Sequence, residues 1–115
     1  MSREPVSFDI IRDRNALARE NFNGEVENVY TLKILNKSQV DSTYRLSVEG
    51  IDTAKWVGDS EVMVKAASVY TLPISIAVDP YDLKDYMTDI TFVIELVEEG
   101  SDVKVTHDSR FFKTR

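Results

Sequence analysis

The sequence of 115 residues contains no cysteine. This absence excludes thiol nucleophiles, disulfide bonds, zinc–thiolate sites and cysteine-ligated iron–sulfur clusters within the chain. Glycine and proline are also scarce, with four and three residues, so neither a collagen-like nor a disordered chain is expected. The length is enough for one hydrophobic core and too small for two.

Long apolar runs and clustered positive charge are missing as well. The longest stretch without a charged residue runs from Ala66 to Val78 and contains Pro73, whereas a membrane-spanning helix needs about 20 apolar residues. The formal net charge is -6, which argues against nucleic acid as a partner because phosphate binding requires a basic face. We therefore expect no direct membrane insertion and no nucleic-acid binding by these residues.

Alternation of apolar and polar residues, the pattern of half-buried β-strands, runs through most of the chain. It predicts seven strands near residues 6–10, 28–34, 44–48, 62–64, 70–78, 90–96 and 103–112. Strands with one apolar face must bury it against another sheet. The prediction is therefore an all-β fold, a seven-stranded antiparallel β-sandwich of immunoglobulin-like or fibronectin-III-like topology. Residues 5–113 would form this domain, and residues 1–4 an N-terminal extension or linker without a signal peptide.

Several local signals refine this outline. Asn23-Gly24 predicts a turn before the second strand. Pro73 removes a backbone donor and predicts that its strand is not fully paired on both sides. Short helices are expected over residues 15–20 and 80–87, the second with Asp79 as its N-cap. We expect a single core to contain Tyr30, Leu32, Ile34, Tyr44, Leu46, Leu72, Ile74, Phe92 and Ile94.

Few residues offer catalytic or metal-binding chemistry. His107 is the only histidine, and its strand parity favours a packed or rim position over a functional one. No catalytic residue, cofactor site or metal site is assigned, and the domain alone is not expected to be an enzyme. The alternative that stays open is a transient copper or other metal site, formed by Met63, Met87, His107 or the acidic run 79–89.

Two segments are dense in charge. The segment 12–20 has arginine as its only base, and arginine suits bidentate contacts with carboxylates or phosphates. Its candidate interaction residues are Arg12, Asp13, Arg14, Asn15, Arg19 and Glu20, with an ion-paired connecting loop as the equal alternative. The acidic run between the fifth and sixth predicted strands contains Asp79, Asp82, Asp85 and Asp89. We read this run as a solvated loop, because it lacks the spacing of a calcium-binding motif.

The arginine segment leads through Gly24 into Glu-Asn-x-Tyr-x-Leu-x-Ile at residues 27–34. Together with Arg-Asp-Arg-Asn at 12–15 and Arg-Glu at 19–20, this pattern resembles the opening of the C-terminal domain of FixG-type proteins, also called CcoG. The resemblance extends from about Arg3 to Phe112. It implies an immunoglobulin-like domain on the periplasmic face of the bacterial inner membrane, as part of a larger membrane protein.

The resemblance also implies a function for that larger protein. Members of this family are membrane iron–sulfur redox proteins that are implicated in copper supply and assembly of a cytochrome oxidase. This chain lacks the cysteines, so the clusters are expected only in the missing part of such a parent. The expected role is a non-catalytic interaction or structural module, whose partners are the parent's membrane part, oxidase subunits or a copper carrier. A further alternative is a free-standing sandwich that binds partners along an exposed strand edge.

Counting strand reversals predicts which loops meet. The loops after the first, third and fifth predicted strands should lie at the end opposite the N-terminus, so the arginine segment and the acidic loop become neighbours. We expect at least one of Arg12, Arg14 and Arg19 to bond to a carboxylate or carbonyl oxygen of residues 79–89. Such a contact would join two loops into one rigid surface for a protein partner.

Overall fold

A computed structural model describes residues 5–12 and 18–113, which form two antiparallel β-sheets and one short 3-10 helix. The helix spans Pro80–Asp82, and no helix in these ranges is long and apolar enough to cross a membrane. The strands are β1 (Val6–Arg12), β2 (Arg19–Glu20), β3 (Val26–Asn36), β4 (Ser42–Glu49), β5 (Lys55–Val57), β6 (Glu61–Val64), β7 (Val69–Val78), β8 (Met87–Leu96) and β9 (Lys104–Phe112).

The two sheets form the predicted immunoglobulin-like sandwich. One sheet has the order β1-β3-β7-β5, with β2 also paired to β3, and the other has the order β6-β4-β8-β9. Inward and outward residues alternate along the long strands, so that each sheet presents an apolar face to the other. All nine residues predicted for the core are buried in one cluster.

The seven predicted strands are all present, and the described ranges add two short ones. β2 replaces the end of the predicted helix over residues 15–20, since Arg19 and Glu20 pair with Glu27 and Val26 of β3. Residues 15–17 of that predicted helix lie outside the described ranges. β5 carries Trp56 inward, where its ring lies 5.9 Å from that of Phe92. The alternation of apolar and polar residues cannot identify strands of only two or three residues.

The predicted helix over residues 80–87 shrinks to a single 3-10 turn. Asp79 caps it as predicted, because its side chain accepts a hydrogen bond of 3.0 Å from the backbone N–H of Tyr81. Leu83 then turns into an extended conformation and is buried in the core, with 4% of its surface exposed. Burial of that one apolar side chain ends the helix earlier than the local sequence indicates.

β7 is only partly paired on one side, as Pro73 predicts. Its whole length pairs with β3, while β5 pairs only with residues 75–77. Pro73 lies opposite Thr31 and beyond the reach of β5. Because proline has no N–H group, it weakens the open edge as a template for another strand.

The loops gather at two ends of the sandwich. At the N-terminal end, Pro5 accepts a hydrogen bond from Lys37, and Ser38 accepts one from Ala67. The opposite end, called the distal end from here on, contains Arg12, β2, the loops 21–25, 50–54 and 79–86, and residues 112–113. The arrangement agrees with the count of strand reversals.

Candidate functional site

Half of the predicted interaction residues are described, and these lie at the distal end. Arg12 is the last residue of β1 and lies opposite Tyr30 of β3. Arg19, in the short β2, lies opposite Glu27 of β3. Glu20 follows and is exposed. Asp13, Arg14 and Asn15 lie outside the described ranges.

Arg12 stacks on an aromatic ring. Its guanidinium carbon lies 4.1 Å from the centroid of the Phe112 ring, which suits a cation–π contact. The ring of Tyr86 also lies 5.7 Å from that of Phe112, in an edge-on arrangement. The backbone N–H of Lys113 also bonds to the carbonyl of Tyr86 at 2.8 Å. Arg12 therefore reaches the end of the acidic loop through Phe112.

The expected bond between an arginine and the acidic loop is not made by Arg12 or Arg19 in the described part of the chain. Arg19 pairs instead with Glu27 at 3.4 Å, because the strand register brings these two side chains together. Arg12 stacks instead on the ring of Phe112. For Arg14 the expectation stays a prediction.

The four acidic residues of the 79–89 run have local roles or face solvent. Besides Asp79, which caps the 3-10 helix, Asp82 accepts a hydrogen bond of 2.7 Å from the hydroxyl of Thr53. Asp89 lies 3.7 Å from Arg110, and Asp85 is exposed. These contacts fit the interpretation of the run as a solvated loop, now tied to the neighbouring loop 50–54.

A tightly bonded turn joins β2 to β3. The side-chain oxygen of Asn21 accepts hydrogen bonds of 2.9 Å from the N–H groups of Asn23 and Glu25. Its amide nitrogen donates to the carboxylates of Glu25 at 3.2 Å and Glu27 at 2.8 Å. Gly24 has φ 76°, which confirms the predicted Asn-Gly turn. The side chain of Asn21 thus fixes the turn through four hydrogen bonds.

A salt bridge ties this turn to the opposite edge of the sheet. Lys55 Nζ of β5 lies 2.7 Å from the carboxylate of Glu25. The hydrogen bond from Lys55, followed by that from Asn21, lowers the pKa of Glu25 from its ordinary value of 4.5. The same bond raises the pKa of Lys55 from its ordinary value of 10.5. The pair spans β7, because Lys55 lies opposite Ala77 and Ala77 lies opposite Glu27.

Because of this salt bridge, we expect the free energy of unfolding to differ between the wild type and Glu25→Gln by an amount that depends on pH. The lowered pKa of Glu25 means that its contribution to stability is present above pH 4.5 and is lost as the pH falls through the lowered folded-state value. Lys55 sets the opposite limit, since its contribution is lost as the pH rises through its raised pKa. Urea unfolding should show the wild type more stable near neutral pH and the difference vanishing in acid. A Glu49→Gln control, at an exposed site, should show no such convergence.

The two sheets are held together at the distal end by side chains of β3. Asn28, which is fully buried, donates to the carbonyl of Phe112 at 2.9 Å and accepts from its N–H at 2.8 Å. The buried hydroxyl of Tyr30 donates to the carbonyl of Arg110 at 2.7 Å. Burial raises the pKa of the Tyr30 phenol. β9, an edge strand of the second sheet, therefore has part of its free edge occupied by side chains of the first.

The residues of the metal alternative lie on different strands. Met63 is on β6 and His107 on β9, the opposite edges of one sheet, while Met87 begins β8 at the distal end. His107 lies in the predicted rim position, with Nε2 3.4 Å from Asp9 of β1. Within the described ranges, no three histidine or carboxylate side chains group to hold a metal ion. The strand order thus separates Met63, Met87 and His107 from one another.

Sequence reasoning missed several residues of the distal end, including Asn21, Lys55, Phe22 and Tyr81. Phe22 is next to the predicted Asn23-Gly24 turn, and this position was a usable signal for an exposed tip. Lys55 had no signal, because its partner Glu25 is distant in the chain and meets it only through the sheet order.

The chain is similar to proteins of one family. Residues 1–114 match a family described as "IG-like fold at C-terminal of FixG", and the same description assigns FixG provisionally to the oxidoreductases. The crystal structure of a FixG-related protein from Vibrio parahaemolyticus is 35% identical, with a TM-score of 0.83, and the match covers 98% of this chain and 100% of that chain. The yeast GGA1 GAE domain is 13% identical, with a TM-score of 0.55 and coverage of 96% and 94%, which shows the fold alone. No curated protein matches the sequence.

Proposed function

This chain belongs to the family of immunoglobulin-like domains at the C-terminus of FixG, and from that premise we propose that it is a non-catalytic interaction or structural domain of a FixG-type membrane redox protein. The observation that carries the proposal is the family match over residues 1–114. The related crystal structure has the same extent as this chain, which supports a unit that folds on its own.

The finer role follows from the resemblance of the arginine segment and β3 to this family. We propose that the domain lies on the periplasmic face of the inner membrane and contributes to cytochrome oxidase assembly and copper supply through protein contacts. Electron transfer would belong to the iron–sulfur clusters of the parent's membrane part. The partners proposed are that membrane part, oxidase subunits or a copper carrier.

The distal end supports a role in contact. Separate segments are bonded to one another there: Asn28 holds Phe112, Thr53 holds Asp82, and Lys113 holds Tyr86. Surfaces that are rigid before binding lose less entropy when they bind. Since the domain is C-terminal in FixG, the rest of a parent would join at the N-terminal end, and the distal end would be available to the oxidase subunits or a copper carrier.

The test is an exchange of domains in the full-length parent. Replacing this domain with an unrelated immunoglobulin-like domain should leave the iron–sulfur absorption of the parent intact and lower assembled cytochrome oxidase severalfold in membranes. Parent protein levels serve as the control for stability. Normal oxidase assembly with the unrelated domain would refute the interaction role, whereas loss of the iron–sulfur absorption would mean that the domain acts on the redox part itself.

A further inference from the structure

Two aromatic side chains project into solvent at the distal end. Phe22 is 110% exposed and Tyr81 is 94% exposed, the largest values among the exposed large hydrophobic residues of the described ranges. We infer that these two side chains anchor the domain to a protein partner, whose apolar pockets receive them and whose pocket rims carry lysine and arginine. The inference rests on the proposed function and specifies the partner chemistry of the same surface.

The turn that carries Phe22 is fixed before any binding. Asn21 bonds to the N–H groups of Asn23 and Glu25 and to the carboxylates of Glu25 and Glu27, and Gly24 donates to the carbonyl of Asn21 at 3.0 Å. Phe22 is thus presented at the tip of a turn whose backbone is already ordered. An aromatic ring on an ordered turn loses little entropy when a pocket encloses it.

Tyr81 is presented in a similar way. It is the middle residue of the 3-10 helix that Asp79 caps, and Leu83, directly after the helix, is buried in the core. The bond from Thr53 to Asp82 holds the helix from the neighbouring loop. Both aromatic side chains therefore stand on short, bonded segments, which lowers the entropy that these segments lose on binding.

The two anchors rise from adjacent positions in one sheet. Val26, the first residue of β3, pairs with Val78, the last residue of β7. The Phe22 turn precedes Val26, and the Tyr81 helix follows Val78. A single partner can therefore contact both.

The charge around the anchors selects the chemistry of the partner. Five exposed carboxylates lie on the segments that carry the anchors or on the adjoining loop 50–54: Glu20, Asp52, Asp79, Asp82 and Asp85. Among the nearby cations, Arg19 and Lys55 pair with Glu27 and Glu25, Lys113 bonds to the carbonyl of Leu83, and Arg12 stacks on the ring of Phe112. Lys84 is the exposed cation of the 79–86 loop. An acidic rim favours a basic partner and disfavours an anionic lipid surface.

The test uses the full-length parent in membranes, with a photo-crosslinking phenylalanine analogue introduced at position 22 or 81. Both positions should crosslink to the same protein, through a segment rich in apolar residues and flanked by lysine or arginine. Val40 and Val69, which are 65% and 60% exposed at the N-terminal end, provide matched control positions and should not give that product. Crosslinks to lipid, to a second copy of the chain or to an acidic segment would overturn the inference, and so would the absence of a product specific to 22 and 81.

A paired variant separates this inference from the proposed function. Phe22→Ser/Tyr81→Ser should weaken binding of the crosslinked protein about 30-fold or more, as expected when central anchors are removed. Val40→Ser/Val69→Ser should leave that affinity within about twofold, the range expected of residues outside an interface. If exchange of the whole domain stops oxidase assembly while the anchor variant binds and assembles normally, the function stands and the anchors are wrong. If exchange of the domain has no effect, the proposed function itself fails.

Discussion

Replacing Phe92 with alanine is expected to lower the free energy of unfolding by about 3–5 kcal/mol. Phe92 is fully buried at the centre of the sandwich, with ring centroids 5.0 Å from Tyr30 and 5.9 Å from Trp56. Its removal leaves a cavity between the two sheets and takes away both edge-on aromatic contacts. Chemical denaturation, followed by tryptophan fluorescence and by circular dichroism, measures the loss.

Phe22→Ala is the matched control, because it makes the same truncation at a fully exposed site. Its effect on the free energy of unfolding should stay within about 0.5 kcal/mol. A loss below about 1 kcal/mol for Phe92→Ala would mean that the two sheets do not pack in the observed register, since a buried phenylalanine at a packed interface costs more than that.

The core was predictable from the sequence because it follows from a local rule. In β3, the inward residues Tyr30, Leu32 and Ile34 alternate with outward ones, so parity alone assigns each to its face. The same rule finds Phe92 and Ile94 in β8. A sandwich then follows, because two sheets with one apolar face each have no other way to bury them.

The features that parity misses depend on contacts between distant segments. β5 exists as a strand because it pairs with residues 75–77 of β7, and β2 because it pairs with β3. Neither segment has a pattern of its own. The burial of Leu83, which shortens the expected helix, likewise depends on the position of the loop over the core.

The distal site was predictable in its location but not in its contacts. Strand reversal brings the arginine segment and the acidic loop to one end, whatever the details of the strands. The individual contacts depend on the exact positions of the strands. Arg12 contacts the ring of Phe112, and Arg19 pairs with Glu27 on the neighbouring strand. The density of charge predicted that oxygen atoms of the acidic loop would bind these arginines, but Arg12 contacts an aromatic ring instead.

The strand that carries the family resemblance holds two buried asparagines, Asn28 and Asn36, and these act as clamps between the sheets. Asn28 bonds to both backbone groups of Phe112 in β9. Asn36 donates to the carbonyls of Val40 and Val64 at 2.9 and 3.0 Å, and its oxygen accepts from the N–H and hydroxyl of Ser38. Both side chains are fully buried, so removing a partner leaves a polar group of the asparagine itself without water to replace the lost bond.

Asn28→Asp is expected to destabilise the domain strongly at neutral pH and to recover stability in acid. A carboxylate at this site would repel the carbonyl of Phe112. It would also be buried, and the groups that bond to Asn28 include no cation, so its burial would cost several kcal/mol. A protonated carboxyl group can instead donate to that carbonyl and accept from the Phe112 N–H, reproducing both bonds of the asparagine. Folding would therefore raise the pKa of the introduced carboxyl group, and stability would fall as the pH rises above about 4.

Asn36→Asp is the control that makes this prediction specific. Asn36 uses both hydrogens of its amide, one for Val40 and one for Val64, and a protonated carboxyl group supplies only one. Its loss of stability should therefore be only partly relieved in acid, whereas that of Asn28→Asp should be nearly abolished, relative to the wild type at the same pH. Unfolding by urea at pH 7 and at about pH 4 compares the three proteins. Equal recovery of the two variants, or no recovery of Asn28→Asp, would contradict a clamp built from one donor and one acceptor facing Phe112.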